Sequence, residues 1–371
     1  MTVKGKSEFL KKQQKFIIPL TKQKACAIIL STIDKIGEDM ASIKQFIERR
    51  NNISAIVAYV REKGYATRME ISSALGLSWA CVSELTSLLM DEGVLREFSS
   101  RGEGTVSESR GRTPTYIRLC DDKYFLGVDI NDSGIAISIL RLDGKAIRSQ
   151  KWESEKFDSC GGLSESVCEK IEGMLSDKKN CLGIGVAMEG IFSGDGWLYP
   201  FESGVAPYRP EPDIEARFGI AVSARHDPEC MLYAAAGDLS CDCMALRVDN
   251  GIGVAAMRGG RVLDLPLELG YVKKDGVALR HILRECKKSG DFAPIASALG
   301  SASGNLAMLL GVTKVYVVGE IIEWFDEIED IFRAEFSRID ENIEYEISNI
   351  SDASVGAARV AMTEYPTFRE V

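Results

Sequence analysis

The sequence predicts an α/β protein in which a small N-terminal winged helix-turn-helix precedes a larger two-lobed body. Three observations lead there. Residues 53–119 hold three capped, amphipathic helical segments followed by two short strands. After residue 119, a run of three hairpin-linked strands followed by alternating helix and strand occurs twice. Charge divides along the same line: 19 Lys and Arg stand against 13 Asp and Glu in residues 1–119, and 26 against 42 in the remainder.

In chain order, Ile53, Ile56, Val57 and Val60 recur at the i, i+3, i+4, i+7 spacing of a helix with one apolar face, and Gly64 ends it. Thr67, with Glu70 three residues on, makes a capping box for a second helix, which is expected to bury Ile71, Ala74 and Leu75. Gly76 supplies the turn. Ser78 caps a third helix carrying Val82, Leu85, Leu88 and Leu89, and Gly93 stops it. Val94–Phe98 and Thr115–Leu119 read as strands around a Ser/Gly-rich loop, the wing. That order of parts is the plan of a domain that reads double-stranded DNA. A helical module for dimerisation or protein docking is the alternative.

The outer face of the third helix, with Trp79, Ala80, Ser83, Glu84 and Ser87, contains no Arg or Lys. Base contacts would fall to Ser83 and Trp79, next to the capping Ser78. Phosphate anchoring would fall to Arg68, Arg101, Arg110 and Arg112. Seven lysines against Glu8 place the N-terminal positive excess within the first 24 residues, so residues 25–119 are neutral. Affinity for DNA of any sequence should therefore be modest. The lysine arm is a solvated tail or an added phosphate contact.

No stretch approaches the roughly 20 apolar residues of a membrane span, and the lysine-rich start lacks a long apolar signal core. Ten cysteines without metal-like pairing fit reduced thiols and a cytoplasmic protein.

In the body, Tyr124–Ile130, Gly134–Leu140 and Lys145–Trp152 read as strands, with a hairpin turn at Asp143-Gly144. A helix near Leu163–Leu175, a strand at Leu182–Ala187, a strand at Ile220–Ala224 and a helix at Glu229–Gly237 follow. The second set opens with strands Met244–Val248, Ile252–Met257 and Arg261–Leu263 and ends with a strand at Lys314–Val318 and a helix from Ala353. Duplicated lobes of this kind hold ligands in the cleft between them.

Several segments carry a family resemblance: Gly111-Arg112-Thr113-Pro114 leading into "YIRL…YFLGVDI", then "GIGVAMEG", "FGIAVSARHDPECMLYAAAG", "DNGIGVAAMRGGRV", "LELGY", "GNLAMLLGVTKVYVVG" and "SVGAARVA". In this order, over residues 50–365, the chain resembles the ROK family of sugar-responsive repressors and sugar kinases with an actin-like ATPase fold. The resemblance implies domains at 1–50 (arm and leading helix), 51–119 (winged helix), 120–238 completed by 353–371 (first lobe) and 239–352 (second lobe).

It also locates departures. The family's first phosphate loop is here Asp129-Ile130-Asn131-Asp132-Ser133-Gly134, short of glycine and with an added carboxylate. The second is Asp249-Asn250-Gly251-Ile252-Gly253, and the adenosine loop is Gly319-Glu320-Ile321. Carboxylates facing a polyphosphate oppose it, so neither ATP nor catalysis is expected. The family's zinc ligands are missing: Glu268-Leu269-Gly270-Tyr271 leads to Val272-Lys273-Lys274, with no cysteine before Cys286, so no metal is expected. Asp227 stands in the place of the kinase base and Glu268 in the sugar-contacting motif, while His226 and Tyr271 replace the family's Asn and His. Asp227 also fits a helix N-cap before Pro228, and the two roles are compatible. The expectation is a repressor that senses a sugar-like effector through Asp227, Glu268 and Tyr271, acting as a homodimer or dimer of dimers. A sugar kinase and a DNA-binding scaffold without ligand are the alternatives.

Overall fold

Local capping explains how the N-terminal helices begin and end. The structure is a computed structural model that describes residues 48–99, 114–190, 192–202, 204–237, 241–265 and 267–365. Two compact units are distinguished. One is residues 1–54 with 370–371, in which 48–54 are described and helical. The other, residues 55–369, contains everything below.

Helix α1, residues 55–63, buries Ile56, Val57 and Val60, and Gly64 follows it at φ 79°. Helix α2, Arg68–Leu75, opens on the expected capping box, in which the Glu70 N–H donates to Thr67 Oγ1 (3.2 Å) and the Thr67 N–H to Glu70 Oε2 (2.7 Å). Its buried face is narrower than expected: Ile71 is buried, Leu75 half-buried and Ala74 exposed. At about 100° per residue these two flank Ile71 on opposite sides, and a two-turn helix presents only its central residue inward. Helix α3, Trp79–Asp91, is capped by Ser78, whose Oγ accepts the Cys81 N–H at 3.2 Å. It buries Val82, Leu85, Thr86 and Leu89 and ends at Gly93 in the left-handed region. Strands β1 (Ala66–Thr67), β2 (Leu95–Ser99) and β3 (Thr115–Leu119) form a sheet in the order β1-β3-β2, with Leu95 opposite Leu119 and Ser99 opposite Thr115. The Ser/Gly-rich loop expected between β2 and β3 falls on residues 100–113, outside the described residues.

Two five-stranded sheets of one topology make the body. The first contains β4 (Tyr124–Asn131), β5 (Gly134–Arg141), β6 (Ala146–Glu153), β7 (Cys181–Met188) and β10 (Val222–His226), in the order β10-β7-β4-β5-β6. The second contains β11 (Cys243–Val248), β12 (Ile252–Arg258), β13 (Arg261–Val262), β16 (Lys314–Val318) and β17 (Glu344–Ile347), in the order β13-β12-β11-β16-β17. Each is an antiparallel three-strand meander extended by two parallel strands. The duplication expected from the hairpin pattern is therefore present, with β17 as its previously unrecognised last strand. Charges at alternate positions of Glu344–Ile347 disguise that strand, as suits a sheet edge. Also unforeseen are two hairpins: β8 (Trp197–Phe201) with β9 (Gly204–Tyr208), a proline in each strand, followed by α5 (Pro210–Phe218), and the short pair β14 (Lys273–Lys274) with β15 (Val277–Ala278).

Helix α4 (Cys160–Met174) covers the first sheet; α7 (Leu279–Ser289), α8 (Ala293–Leu310) and α9 (Phe325–Phe336) cover the second. By length and composition α8 could cross a membrane, unlike the expectation that no stretch comes close. Here its Ile295, Ala296, Ala298, Leu299 and Ala307 are buried in the second core. Between the sheets lie α6 (Asp227–Ala235) and α10 (Ser354–Glu364), sharing a third core with Ala187, Ala245, Ala255 and Val318. Glycine makes this possible. A Cβ on Gly127 would lie 1.8 Å from Ser354 O, and one on Gly185 1.8 Å from Ala357 O, so α10 rests directly on the backbone of β4 and β7.

Gly185→Ala should therefore destabilise the chain by about 3 kcal/mol or more, because backbone rather than a pliable side chain must yield. Gly173→Ala, at an exposed helical site with nothing within 4 Å of the added methyl, should stabilise it by about 0.5–1 kcal/mol. Urea unfolding of the two variants checks the contrast; equal midpoints would mean that α10 is not seated as described.

Candidate functional site

Parallel strands of both sheets end at one cleft, where loops bring charged side chains together. Arg247 of β11 sits at its centre and is 8% exposed. Its guanidinium pairs with Asp227, the first residue of α6, and with Asp249, just after β11. Burial would lower its pKa, but the Asp249, Asp129 and Glu189 carboxylates outweigh that and raise it. Arg247 is thus a permanent cation joining elements of the two sheets. A charge inside the otherwise apolar strand Cys243–Val248 was the sequence signal for it, since a buried ion requires a partner.

The loops at the cleft are closed by the chain's own oxygens. The Asp132 N–H donates to Glu189 Oε2 (2.9 Å), and the Ser133 N–H to Asn131 Oδ1 (2.8 Å). The Glu320 N–H donates to Asp249 Oδ1 at 2.6 Å. Each of these amides thus has an acceptor within the chain and is not left open to an anion. Gly319, at φ 93°, lies so close to Asp249 that a Cβ would be 2.3 Å from Oδ1. Lys287 of α7 adds a brace, donating to Asn250 Oδ1 (3.1 Å) and pairing with Glu320 (2.7 Å).

Asp129, fully buried at the end of β4, accepts hydrogen bonds through Oδ2 from Asn131 Nδ2 and from the Ala353 N–H, both at 2.9 Å. Its Oδ1 has no hydrogen-bond partner among the described residues. Burial pushes its pKa up to about 6, against the pull of Arg247. Burial also raises Glu189.

Asp227 and Glu268 approach each other across His226. The His226 Nε2 lies 3.3 Å from Asp227 Oδ1 and 3.9 Å from Glu268 Oε1. Burial, with Arg247 nearby, pulls His226 down to about 4, so the imidazole is neutral, and its ring stacks on Trp197 at 5.9 Å. Burial raises Glu268. The N-cap role expected for Asp227 is not observed: His226 occupies the cap position without a side-chain bond, and Asp227 turns its carboxylate to Arg247 and His226. An arginine gives that carboxylate a stronger partner than a helix amide would. Tyr271 does not join the pair; it is 50% exposed, with the Arg280 guanidinium 4.0 Å from its ring centroid. Glu189, Trp197, Arg247 and Lys287 are the cleft residues that sequence reasoning missed.

On the N-terminal helices, Trp79 is 62% exposed at the start of α3, with Ala80, Glu84 and Ser87 also exposed. Ser83 is half-buried, and its carbonyl accepts from the Ser87 hydroxyl at 2.8 Å. Arg68 is directed inward: it donates to Thr86 Oγ1 (3.0 Å) and pairs with Glu97 (2.6 Å), tying α2 to α3 and β2. Its expected place as a phosphate anchor gives way to that bracing. Arg101, Arg110 and Arg112 lie outside the described residues.

No family model and no curated protein matches the chain, whereas solved structures do. A ROK family transcriptional regulator, a homologue of the E. coli MLC protein, matches with a TM-score of 0.65 at 16% identity, over 87% of this chain and 98% of its own. A ROK family glucokinase from Streptomyces griseus, in complex with glucose and AMPPNP, matches with 0.52 at 16%, over 65% and 99%. A ROK hexokinase from Thermus thermophilus matches with 0.53 at 18%, over 65% and 98%. These structural neighbours are ROK-family proteins, and the body of this chain is an α/β body of the sugar-kinase-like kind.

Linkage gives the cleft a pH signature. Asp129 holds its proton up to about 6 when folded, against 3.8 for the ordinary carboxyl. Between those values the folded state carries a proton that the unfolded chain has lost, so stability falls as pH rises through the window and is level above it. Asp129→Asn removes this slope and should gain on the wild type by up to about 3 kcal/mol between pH 4 and 7. His226 contributes the opposite slope in both proteins and cancels. Parallel stability curves would show that Asp129 is ionised throughout.

Proposed function

We propose that the chain is a DNA-binding transcriptional regulator, acting as a repressor, whose kinase-like body has become a sensor and scaffold. The observation that carries this reading is the closure of the cradle: three loop amides and Arg247 are occupied by the chain's own carboxylate and amide oxygens. A nucleotide would have to displace those bonds and face Asp132, Asp249 and Glu320. Phosphoryl transfer is therefore disfavoured on two counts, geometry and charge. The regulator among the neighbours extends over 87% of this chain, whereas the kinases extend over 65%. That supports assigning a further function to the N-terminal helices.

In this reading, residues 51–119 form a winged helix, residues 120–238 with 353–371 the first lobe, and 239–352 the second. Trp79 and Ser83, next to the capping Ser78, face DNA bases, and Arg101, Arg110 and Arg112 hold phosphates. Arg68 keeps the reading helix in place. Two copies of the chain would span operator half-sites in the cytoplasm. The effector is a sugar or sugar derivative. Its hydroxyls would meet Glu268 and the neutral His226, since Arg247 and His226 already engage Asp227. Tyr271 would lie at the rim. The saturation of Asp227 also favours a second reading, a DNA-binding scaffold without a small-molecule ligand.

Selection from a random duplex pool should enrich one motif, and Arg112→Ala should weaken binding to all sequences alike while Ser83→Ala changes base preference. No enrichment would end the DNA reading. With ATP and a panel of hexoses, a coupled assay should give no turnover above a heat-killed control. Turnover that Asp227→Asn abolishes would restore the kinase reading.

A further inference from the structure

Two helices start at the cleft, the second of them reaches α1, and little in their packing can deform. Helix α6 starts at Asp227, a partner of Arg247. Helix α10 starts after Ala353, whose N–H is held by Asp129, and its Ser354 hydroxyl lies 2.7 Å from that of Ser138 in β5. The two helix backbones touch: a Cβ on Gly356 would be 1.6 Å from Cys230 O. Below α10, Gly127 and Gly185 leave backbone against backbone. A close-packed interface without intervening side chains has no rotamers with which to absorb a shift.

At the far end, the Arg359 guanidinium of α10 donates to Tyr233 O (2.8 Å) and Ala234 O (3.1 Å), closing the C-terminal turn of α6. Less than one turn further, Met362 Sδ lies 3.6 Å from the Arg61 guanidinium of α1. Arg61 Nε also donates to Leu142 O in the β5–β6 turn at 2.9 Å. One arginine therefore holds α1 to both α10 and the first sheet. Met362 lies eight residues beyond Ser354, so at 1.5 Å per residue its contact with Arg61 is roughly 12 Å along the helix from its start at the cleft.

We propose that α6 and α10 move as one body and carry the state of the Arg247 clasp to α1, with Arg359 and Arg61 as the positioning residues. With the clasp formed, Asp227 fixes the start of α6, while Asp129, within the field of Arg247, holds the start of α10. When it opens, the pair shifts together, and Arg61 delivers the shift to α1. The meaning of this for DNA rests on the proposed function; the mechanical coupling does not.

Hydrogen exchange in residues 55–63 of the full-length chain tests the coupling without ligand or DNA. Arg247→Met should change protection there by about fivefold or more, the lower end of typical coupling between sites. Because Arg247→Met leaves carboxylates unpaired at a cost to folding, Asp227→Asn, which loses a charge without losing shape, serves as a second perturbation. In an Arg61→Met or Arg359→Met background, either cleft variant should leave protection of α1 unchanged. If neither cleft variant alters α1, or if both alter it equally with and without Arg61, the coupling is refuted. Coupled exchange in a chain for which no duplex is enriched would keep the lever and remove the DNA reading.

Discussion

The cleft depends on how one buried cation is neutralised. Removing an arginine from water costs several kcal/mol unless it is paired with good geometry. Arg247 has two direct carboxylate partners and two more within its field. Four carboxylates around one guanidinium would leave excess negative charge at low dielectric. The cleft answers by shifting the groups that can give way: Asp129 rises to about 6 and Glu189 rises, both through burial. His226 stays neutral because burial and the arginine both oppose a second positive charge. Burial sets the direction of all three shifts, and Arg247 opposes it at the two carboxylates and adds to it at His226.

The clasp and the closure of the cleft loops belong to one arrangement. Sheets of the same topology face each other, and each offers a hairpin loop to the space between them. In a nucleotide-binding cleft, oxyanions would satisfy the loop amides and hold the two halves together. Here Glu189 and Asp249 satisfy amides of the loops, and Arg247 holds the halves. Internal groups do both jobs, and among the described residues Asp129 Oδ1 is the buried cleft acceptor left without a partner. The Lys287 brace on Asn250 and Glu320 extends the same economy to the glycine-poor third loop.

Much of this fold was legible in the sequence because it is set by short-range chemistry. The Thr67–Glu70 box, the Ser78 cap and the Asp143-Gly144 turn are decided within four residues. The repeated three-strand pattern needed only alternation and turn residues to be seen. Ala74 was misjudged because two turns of helix give too few residues to define a face. Trp197 stayed hidden in a proline-containing hairpin, and Glu344–Ile347 in the alternating charges of an edge strand. In the cleft, the loop carboxylates were visible one at a time, but their partners were not. The pairing of Arg247 with Asp227 joins a strand and a helix residue twenty positions apart, and the Asp129 bond to Ala353 spans 224. Such contacts have no sequence period. Asp227 was expected to cap its own helix because local reasoning knew of no better partner.

A ligand for this cleft would meet a site that already has internal partners, which limits how it could act. Tight binding alone would not move the protein; only a difference in affinity between the clasped and opened arrangements would. A ligand confined to Glu268 and His226 could bind without disturbing Arg247 and would then be silent. To open the clasp, it must replace one of the arginine's carboxylates or take over Asp227, whose Oδ2 is paired with Arg247 and whose Oδ1 lies 3.3 Å from His226 Nε2. A neutral imidazole can accept or donate at Nε2 according to its tautomer, whereas a carboxylate only accepts. A hydroxyl-rich ligand that draws His226 away from Asp227 would therefore weaken one side of the clasp without introducing a charge. His226, stacked on Trp197 and placed between Asp227 and Glu268, is the element through which an uncharged effector could be felt by the buried arginine.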